Sequence, residues 1–325
     1  MSLFQMSVGG GVLVLFIVVI RALAIHRLPK TTFLVLWIIA ALRLILPFSI
    51  PLPFNTHIGL DVFSDVVQEL PSGNIGSPLP GELLPSYDAG ASVPSPATGH
   101  ISTFEILWLV GVLLLALYFS ISYLRSIRKF RMSIPDNTPY IREWLTTHQI
   151  IRPIQVRSSD LISSPLTYGI LHPVILLPKN LDRNDQAALK YVLSHEYVHI
   201  RRFDAITKIL FAAVLCIHWF NPLAWVMYVL ANRDMELSCD AWVIRMMGEK
   251  NRSSYALMLI KMEERRSGMS ALYSHFGKNA ISERIEAIMK FKKTSTIACA
   301  LALVLVVGAT TAFANSDASG ENVYV

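Results

Sequence analysis

The hydrophobic residues of this chain are concentrated in four long runs. They cover residues 8–25, 32–50, 104–124 and 296–314. A helix that crosses the hydrocarbon core of a membrane needs about 20 mostly apolar residues, and each run is close to that length. We therefore predict four transmembrane helices. The first run lies where a secretion signal would lie, but no basic segment precedes it and no small-residue cleavage site follows it, so we predict that it is retained.

Between the third and fourth runs, the pattern changes to that of a folded domain. Residues 154–159 and 173–178 are short apolar segments typical of strands, and helical patterns follow from about residue 183. Strands followed by helices are typical of an α+β domain. The block of residues 125–295 is large enough for a core of its own. We predict an integral membrane protein, mainly α-helical, with four membrane helices and one α+β domain.

The charged residues indicate which side of the membrane each segment faces. Residues 51–103, rich in Pro, Gly and Ser, and the tail 315–325 contain no Lys or Arg. Basic residues flank the runs instead: Arg21, Arg27, Lys30, Arg125, Arg128, Lys129, Arg131, Lys290, Lys292 and Lys293. Because Lys and Arg collect in cytoplasmic loops, we predict both termini and 51–103 outside, and 125–295 in the cytoplasm. The net charge of +6 follows this topology, so we expect no direct contact with nucleic acid.

The segment HEYVH, residues 195–199, carries the main candidate chemistry. The surrounding residues 186–202 have the apolar spacing of a helix. His195 and His199 would lie one turn apart on one helix face, so both could bind one zinc ion. Glu196 would lie beside the open position of the metal and could take a proton from the attacking water. The short motif also arises by chance, and the competing interpretation is a solvated helix face without metal.

A catalytic zinc site needs a third protein ligand and leaves one position open for water. The helical pattern at 232–245 offers Glu236, which follows His199 by 37 residues. Its spacing to Asp240 resembles the ExxxD arrangement of thermolysin-like zinc peptidases, in which the glutamate is the third ligand. We therefore predict that Glu236 binds Zn²⁺ together with both histidines of HEYVH. Cys239 could also bind zinc, but we expect it to pack as a small apolar side chain.

Two aspartates could support the ligand histidines. A histidine that binds a metal through one ring nitrogen usually donates a hydrogen bond from the other. Asp240 could accept such a bond. Asp204, five residues after His199, is a second candidate, and it could equally be a helix-end charge that pairs with Arg201 or Arg202.

The apolar segment 205–231 separates the two halves of the predicted zinc site. If it crossed the membrane once, the histidines and Glu236 would lie on opposite sides and could not share one ion. The Asn221-Pro222 pair near its middle interrupts a helix, because proline lacks a backbone N–H. We predict two shorter helices in a membrane-associated hairpin. We expect His218, in this segment, to be a structural histidine rather than a ligand.

Three stretches of the chain resemble the BlaR/MecR-type membrane metallopeptidases, which are antirepressors and signal transducers. They are residues 164–178, 193–204 and 232–243. The resemblance covers nearly the whole chain and implies a cytoplasmic, zincin-like (gluzincin) protease domain in a multi-pass protein of the bacterial plasma membrane. It also implies that 164–178 contain an edge strand able to pair with an extended substrate, although an ordinary hairpin is a serious alternative.

The resemblance further implies substrates and partners. In the family the zinc domain acts on a cytoplasmic repressor or on its own chain. The chain itself could form a homodimer. Residues 271–288 resemble the self-processing region of the family, so Ser274, His275 and Phe276 are the candidate cleavage neighbourhood; a loop that leads into a helix is the alternative. Because only residues 315–325 follow the fourth run, we expect no penicillin-binding sensor domain and no β-lactam sensing through an acylated serine.

The predicted function is therefore that of a membrane-embedded zinc metalloendopeptidase in transmembrane signalling. Glu196 would act as general base and then as proton donor to the leaving amine. The group that polarises the substrate carbonyl stays open between Tyr197, Tyr255 and Arg233. The alternatives are a housekeeping protease for membrane-protein quality control and a non-proteolytic receptor of the same fold.

Overall fold

The structure is a computed structural model, and it describes residues 3–25, 27–46, 103–267, 274–291 and parts of 297–308. The predicted external loop, the tail and parts of the fourth run lie outside the described residues. The helices within them are α1 (Leu3–Ala24), α2 (Lys30–Ile45), α3 (Thr103–Arg131), α4 (Pro139–Thr147), α5 (Gln186–Arg201), α6 (Asp204–Ile217), α7 (Pro222–Met247), α8 (Arg252–Ser267) and α9 (Ser274–Met289), with a 3-10 helix at Glu249–Asn251. The strands are β1 (Ile134–Pro135), β2 (Gln155–Ser159), β3 (Leu166–Tyr168) and β4 (Val174–Pro178).

A four-stranded sheet with the order β1-β2-β4-β3 lies in the domain that follows α3. β4 is apolar and buried along its whole length, as expected for a strand with a neighbour on each side. It pairs in parallel with β2 and antiparallel with β3. The strands predicted at 154–159 and 173–178 are thus confirmed as β2 and β4. β3 lies at the edge of the sheet, within the stretch 164–178 that the resemblance marked for an edge strand.

Helix α5 carries the HEYVH segment and agrees with the helix predicted at 186–202 to within one residue. Asp185 caps its first turn by accepting a hydrogen bond from a backbone N–H at 2.9 Å. Leu189 belongs to the same buried core as Ile175 of β4, so the helix packs against the sheet. The helix ends at Arg201, and two residues later Phe203 has a φ of 59°, in the left-handed region. This sharp turn allows α6 to begin at the next residue.

Helices α6 and α7 pack side by side as a hairpin with its turn at residues 218–221. Asn221 caps α7, and its side-chain amide donates to the carbonyl of Ser7 in α1 at 3.0 Å. His218 is fully buried and donates from Nε2 to the carbonyl of Leu44 in α2 at 2.9 Å, as expected for a structural histidine. The turn therefore lies beside the start of α1 and the end of α2. From there α7 returns to the end of the domain that holds HEYVH.

Two helices in the described part of the chain are long and apolar enough to cross a membrane, by length and composition. They are α1 and α3, and no residue of α3 is buried. Helix α2 is apolar but has 16 residues. This corresponds to roughly 24 Å, less than the hydrocarbon thickness of about 30 Å, and residues 47–50 of the predicted run lie outside the described residues. The number of four spans therefore stays a prediction.

Helix α3 contacts the hairpin through a glycine, and this contact predicts a stability effect. A Cβ added at Gly111 would lie 2.2 Å from the indole of Trp219, so we expect Gly111→Ala to displace the ring and cost about 1–3 kcal/mol. Gly9→Ala in α1 is the matched control, because no atom lies within 4 Å of its added Cβ. Thermal unfolding of both variants in detergent checks this. A Gly111→Ala midpoint equal to that of Gly9→Ala would contradict the packing.

Candidate metal centre

His195 and His199 lie one turn apart on α5 and present the same ring nitrogen to one point. Their Nε2 atoms are 3.2 Å apart, and the rings are nearly perpendicular, at 80°. Two imidazole lone pairs repel each other at this separation unless a proton or a metal ion lies between them. The HExxH spacing thus brings two nitrogens together where a cation would be stabilised.

Each imidazole is held through its outer nitrogen. His199 Nδ1 lies 2.6 Å from Asp204 Oδ2. Since an ionised carboxylate only accepts hydrogen bonds, Nδ1 carries a proton, and Nε2 is the nitrogen that can bind a metal. His195 Nδ1 lies 2.9 Å from the hydroxyl of Tyr255, which donates its own proton to Asp240 Oδ1 at 2.6 Å. The hydroxyl therefore accepts from His195, and both histidines have the tautomer that a metal ligand requires.

The structure brings both predicted supporting aspartates to the site, by different routes. Asp204 contacts its histidine directly and also lies 3.4 Å from Arg202 Nε, so both of its predicted alternatives are realised. Asp240 lies 3.4 Å from His195 Nδ1 and acts mainly through the hydroxyl of Tyr255. The tyrosine is thus part of the support of His195.

Glu236 of α7 brings a carboxylate to the same point. Its Oε2 is 3.4 Å from His195 Nε2, and its Oε1 is 3.7 Å from His199 Nε2. Ligand atoms of a tetrahedral zinc site with bonds of about 2.05 Å are separated by about 3.3 Å. The separation of 3.2 Å between the two Nε2 atoms and the two distances to the Glu236 oxygens lie close to that value. These side chains therefore fit a zinc ion with one position left open.

Cys239 lies at the same site and is the competing third ligand. Its Sγ and nitrogens of both histidines form a group of candidate ligand atoms that all lie within 4.8 Å of one another. The sulfur is 3.5 Å from His195 Nδ1, which is the outer nitrogen. Cys239 is fully buried, but this contact corrects our expectation of purely apolar packing. Because the carboxylate of Glu236 faces both Nε2 atoms, it fits the histidine pair better than the thiol does.

The charges around the histidines favour a cation. Burial by itself lowers the pKa of His199, but Cys239 and Glu236 outweigh burial and raise this pKa to about 10. Burial raises the pKa of the Glu236 carboxyl, yet the two histidines and Arg284 hold it well below its usual value. The acidic groups therefore stabilise positive charge on the imidazoles, and a divalent metal ion bound in place of the imidazole protons would be stabilised by the same groups.

Glu196, the predicted proton acceptor, lies between the histidines and the edge of the sheet. Its Oε2 accepts a hydrogen bond from the hydroxyl of Thr167 at 2.5 Å. Thr167 is the middle residue of the edge strand β3. An extended chain that paired with this edge would therefore pass next to Glu196.

A cavity of about 1450 Å³ opens on this site. Its polar wall includes both histidines, Glu196 and Glu236. Its apolar wall comes from α3 and α6 and includes Phe119, Tyr123, Ile127, Phe130, Ile206, Ile209 and Ala212. The cavity thus extends from the candidate metal centre to a helix with the length and composition of a membrane span.

The three candidates for polarising the carbonyl occupy different places. Arg233 lines the cavity. The hydroxyl of Tyr255 is buried behind His195 and already engaged. Tyr197 packs edge-on against Trp144 in the core. Of the three, Arg233 is the one whose side chain borders the space that a substrate would occupy.

A family comparison identifies the group of proteins that share this architecture. The sequence model of the family described as BlaR1 peptidase M56 matches residues 1–288. These are most of the 325 residues and include every residue of the site. The chain belongs to the BlaR1 peptidase M56 family. The BlaR/MecR resemblance of the three sequence stretches is thereby confirmed, and the M56 match extends from α1 into the last turn of α9.

Individual relatives match parts of the M56 chain. The regulatory protein BlaR1 of Bacillus licheniformis is 30% identical over 225 residues, which are 64% of this chain and 36% of the relative. The regulatory protein BlaR1 of Staphylococcus aureus is 28% identical over 161 residues, 48% and 27% of the two chains. The methicillin resistance mecR1 protein of Staphylococcus aureus is 24% identical over 212 residues, 62% and 36%. The matches therefore cover only about a quarter to a third of each relative's length.

The structure adds to the site two residues that our sequence interpretation did not select, Thr167, described above, and Arg284. Arg284 of α9 donates from Nε and one terminal nitrogen to the two oxygens of Asp240, both at 2.8 Å, and lies 3.4 Å from Glu236 Oε2. No sequence pattern joins this arginine to HEYVH. Residues 274–276, the candidate cleavage neighbourhood, form the first turn of the same helix, and cleavage there stays a prediction.

Proposed function

We propose that this protein is a membrane-embedded zinc metalloendopeptidase with a cytoplasm-facing active site. The observation that carries the proposal is the convergence of His195 Nε2, His199 Nε2 and the Glu236 carboxylate on one point, with Glu196 beside it. The donor set of two imidazoles and one carboxylate with an open fourth position is typical of catalytic zinc sites rather than structural ones.

The side chains of the chain supply the remaining chemistry. A bound zinc ion supplies Lewis-acid polarisation and lowers the pKa of water. Glu196 accepts the proton of the attacking water and then delivers it to the leaving amine. The hydroxyl of Thr167 orients the carboxylate of Glu196 through its hydrogen bond. Arg233 is the candidate that stabilises negative charge on the substrate carbonyl.

We propose that the substrate is a cytoplasmic repressor-like protein or the chain itself, cleaved in transmembrane signalling. Two observations support a protein substrate. The edge strand β3 offers backbone groups to an extended segment, and the large cavity runs beside it. The names of the relatives, a regulatory protein and a methicillin resistance protein, support a regulatory role. The basic clusters around the apolar helices support the proposed orientation in the bacterial plasma membrane.

A second candidate function is membrane-protein quality control. The observation that favours it is the apolar wall of the cavity, formed by α3 and α6, which would accept apolar side chains of a damaged membrane protein. The two functions differ in substrate rather than in chemistry.

One experiment separates these proposals. The purified full chain in detergent is incubated with three substrates: the inactive Glu196→Ala chain, a folded repressor of the winged-helix type and an unfolded membrane protein. Cleavage of either of the first two supports signalling. Cleavage of the third alone supports quality control. No cleavage of any substrate by zinc-loaded protein, or cleavage that a zinc chelator leaves unchanged, would contradict the peptidase.

The hydrogen bond to Glu196 predicts a kinetic effect of Thr167. Thr167→Val removes the hydroxyl that orients the glutamate, and we expect kcat to fall roughly tenfold, because such a bond contributes about 1–1.5 kcal/mol. Thr167→Ser is the matched control, since it keeps the hydroxyl. Steady-state cleavage of one substrate by both variants measures the effect. Equal kcat values for Val and Ser would show that this contact does not orient the base.

A further inference from the structure

Two partly buried polar clusters lie next to each other on helices α7 and α9. The first cluster, which we call the helix-end cluster, consists of Arg21, Trp37, Asp234 and Glu283. Arg21 Nε lies 2.9 Å from Asp234 Oδ1, and its terminal nitrogen lies 2.6 Å from Glu283 Oε1. Trp37 donates from Nε1 to Asp234 Oδ2 at 2.7 Å. The cluster therefore joins α1 and α2 to both α7 and α9.

The second cluster belongs to the candidate metal centre and lies next to the first along both helices. Glu236 follows Asp234 by two positions on α7, and Arg284 follows Glu283 directly on α9. Arg284 binds both oxygens of Asp240 and reaches Glu236. Residues of the metal centre thus connect α7 to α9. Asp234 and Glu283, which lie one or two positions away on the same helices, connect both helices to α1.

The electrostatic role of Arg284 follows from its partners. Glu236 and Asp240 lie one turn apart on α7, and their like charges repel. The Asp240 side chain is only 2% exposed, so its charge depends on a neighbouring cation. A planar guanidinium fits this task because it makes two parallel hydrogen bonds to one carboxylate. Lys208 also lies 3.9 Å from Glu236 Oε1, but its side chain is half exposed and its charge is largely solvated.

We propose that Arg284 is a positioning residue of the metal centre, and that Arg21, by pairing with Glu283, holds Arg284 in place. Arg284 fixes Glu236 against the histidines and fixes Asp240 against Tyr255. The position of α1 therefore affects the zinc affinity of the metal centre, although no ligand of that centre lies on α1. This inference rests on the proposed zinc site, and it adds a coupling between an N-terminal helix and that site.

The first test measures zinc affinity of the full chain in detergent by competition with a chelator. We expect Arg284→Gln to weaken zinc binding by about 10–100-fold, the usual effect of removing a residue that orients metal ligands. Arg284→Lys keeps the charge without the two-pronged contact and should restore part of the affinity. Lys290→Gln is the matched control, because it removes a cation directly after the end of α9, and Lys290 pairs at 2.6 Å with Glu286, both side chains being exposed.

A spectroscopic measurement separates positioning from a general loss of stability. With Co²⁺ in place of zinc, the visible absorption bands report the geometry of the ligands. We expect these bands to change in Arg284→Gln and to stay the same in Lys290→Gln. If Arg284→Gln does not fold, the double variant Asp240→Asn with Arg284→Gln, which leaves no unpaired buried charge at this position, is compared with Asp240→Asn alone, so that the difference reports on Arg284.

The second test addresses the coupling to α1. Glu283→Ala removes the partner of Arg21 on α9, and we expect zinc affinity to fall by roughly 2–30-fold, the range of typical coupling between sites. Combined with Arg284→Gln, it should weaken binding little further, because both changes act through the same side chain. Fully additive effects would contradict the coupling.

The outcomes also separate this inference from the proposed function. Wild-type protein that binds zinc and cleaves, with Arg284→Gln equal to wild type in affinity and in Co²⁺ bands, would overturn the role of Arg284 alone. Wild-type protein that binds no zinc would overturn the zinc site itself, and the role of Arg284 with it.

Discussion

Replacing Glu236 with glutamine is expected to remove most of the zinc from the purified protein. The substitution keeps the shape of the side chain but removes the negative charge that faces His195 Nε2 and His199 Nε2 at 3.4 and 3.7 Å. A neutral amide is a poor zinc ligand, and the site would keep two histidines and a thiol that contacts an outer nitrogen. We expect the loss of affinity to exceed the roughly 10–100-fold typical of residues that only support ligands.

Cys239→Ser is the matched comparison for this prediction. It replaces the competing ligand by a side chain of similar size, and we expect nearly full zinc content because the sulfur lies on the outer side of His195. Metal analysis of both variants after dialysis gives the answer. The reverse pattern, with zinc kept in Glu236→Gln and lost in Cys239→Ser, would assign the third ligand to the cysteine.

The second large effect is expected for Glu196→Gln, which should abolish cleavage while zinc stays bound. The glutamine cannot accept a proton, so general acid–base catalysis is lost, and we expect kcat to fall by about 10²–10⁴-fold. The carboxylate of Glu196 contacts Thr167 rather than a ring nitrogen of either histidine, so the metal ligands should not move. Parallel assays of zinc content and cleavage rate test this.

Two results would count against the role of Glu196. Cleavage at the wild-type rate in Glu196→Gln would mean that another group moves the proton. Loss of zinc together with loss of cleavage would mean that Glu196 holds the metal centre together rather than serving as its base.

The local parts of the site could be predicted from the sequence. The positions of the two histidines follow from helical periodicity, since residues four apart share a helix face. Helix α5 was predicted from the same helical periodicity, and strands β2 and β4 were predicted from short apolar segments. Glu236 was predicted as a ligand from its spacing to Asp240, which resembles that of thermolysin-like zinc peptidases. In the structure its carboxylate faces the histidines.

The tertiary parts of the site could not be predicted in this way. Tyr255 and Arg284 come from helices far along the chain from HEYVH, and their roles depend on how α8 and α9 pack. A tyrosine considered for the substrate side lies on the outer side of His195. The hydroxyl of Thr167 reaches Glu196 only because β3 lies at the sheet edge beside α5. Such contacts depend on packing geometry, which periodicity does not encode.

The most direct test of the proposed metal centre is X-ray absorption spectroscopy of zinc in the purified protein. We expect one zinc ion per chain with nitrogen and oxygen neighbours at about 2.0–2.2 Å and no sulfur neighbour. These would be the atoms of His195, His199 and Glu236 together with water. A sulfur neighbour at about 2.3 Å, or a purified protein that binds no zinc, would contradict it.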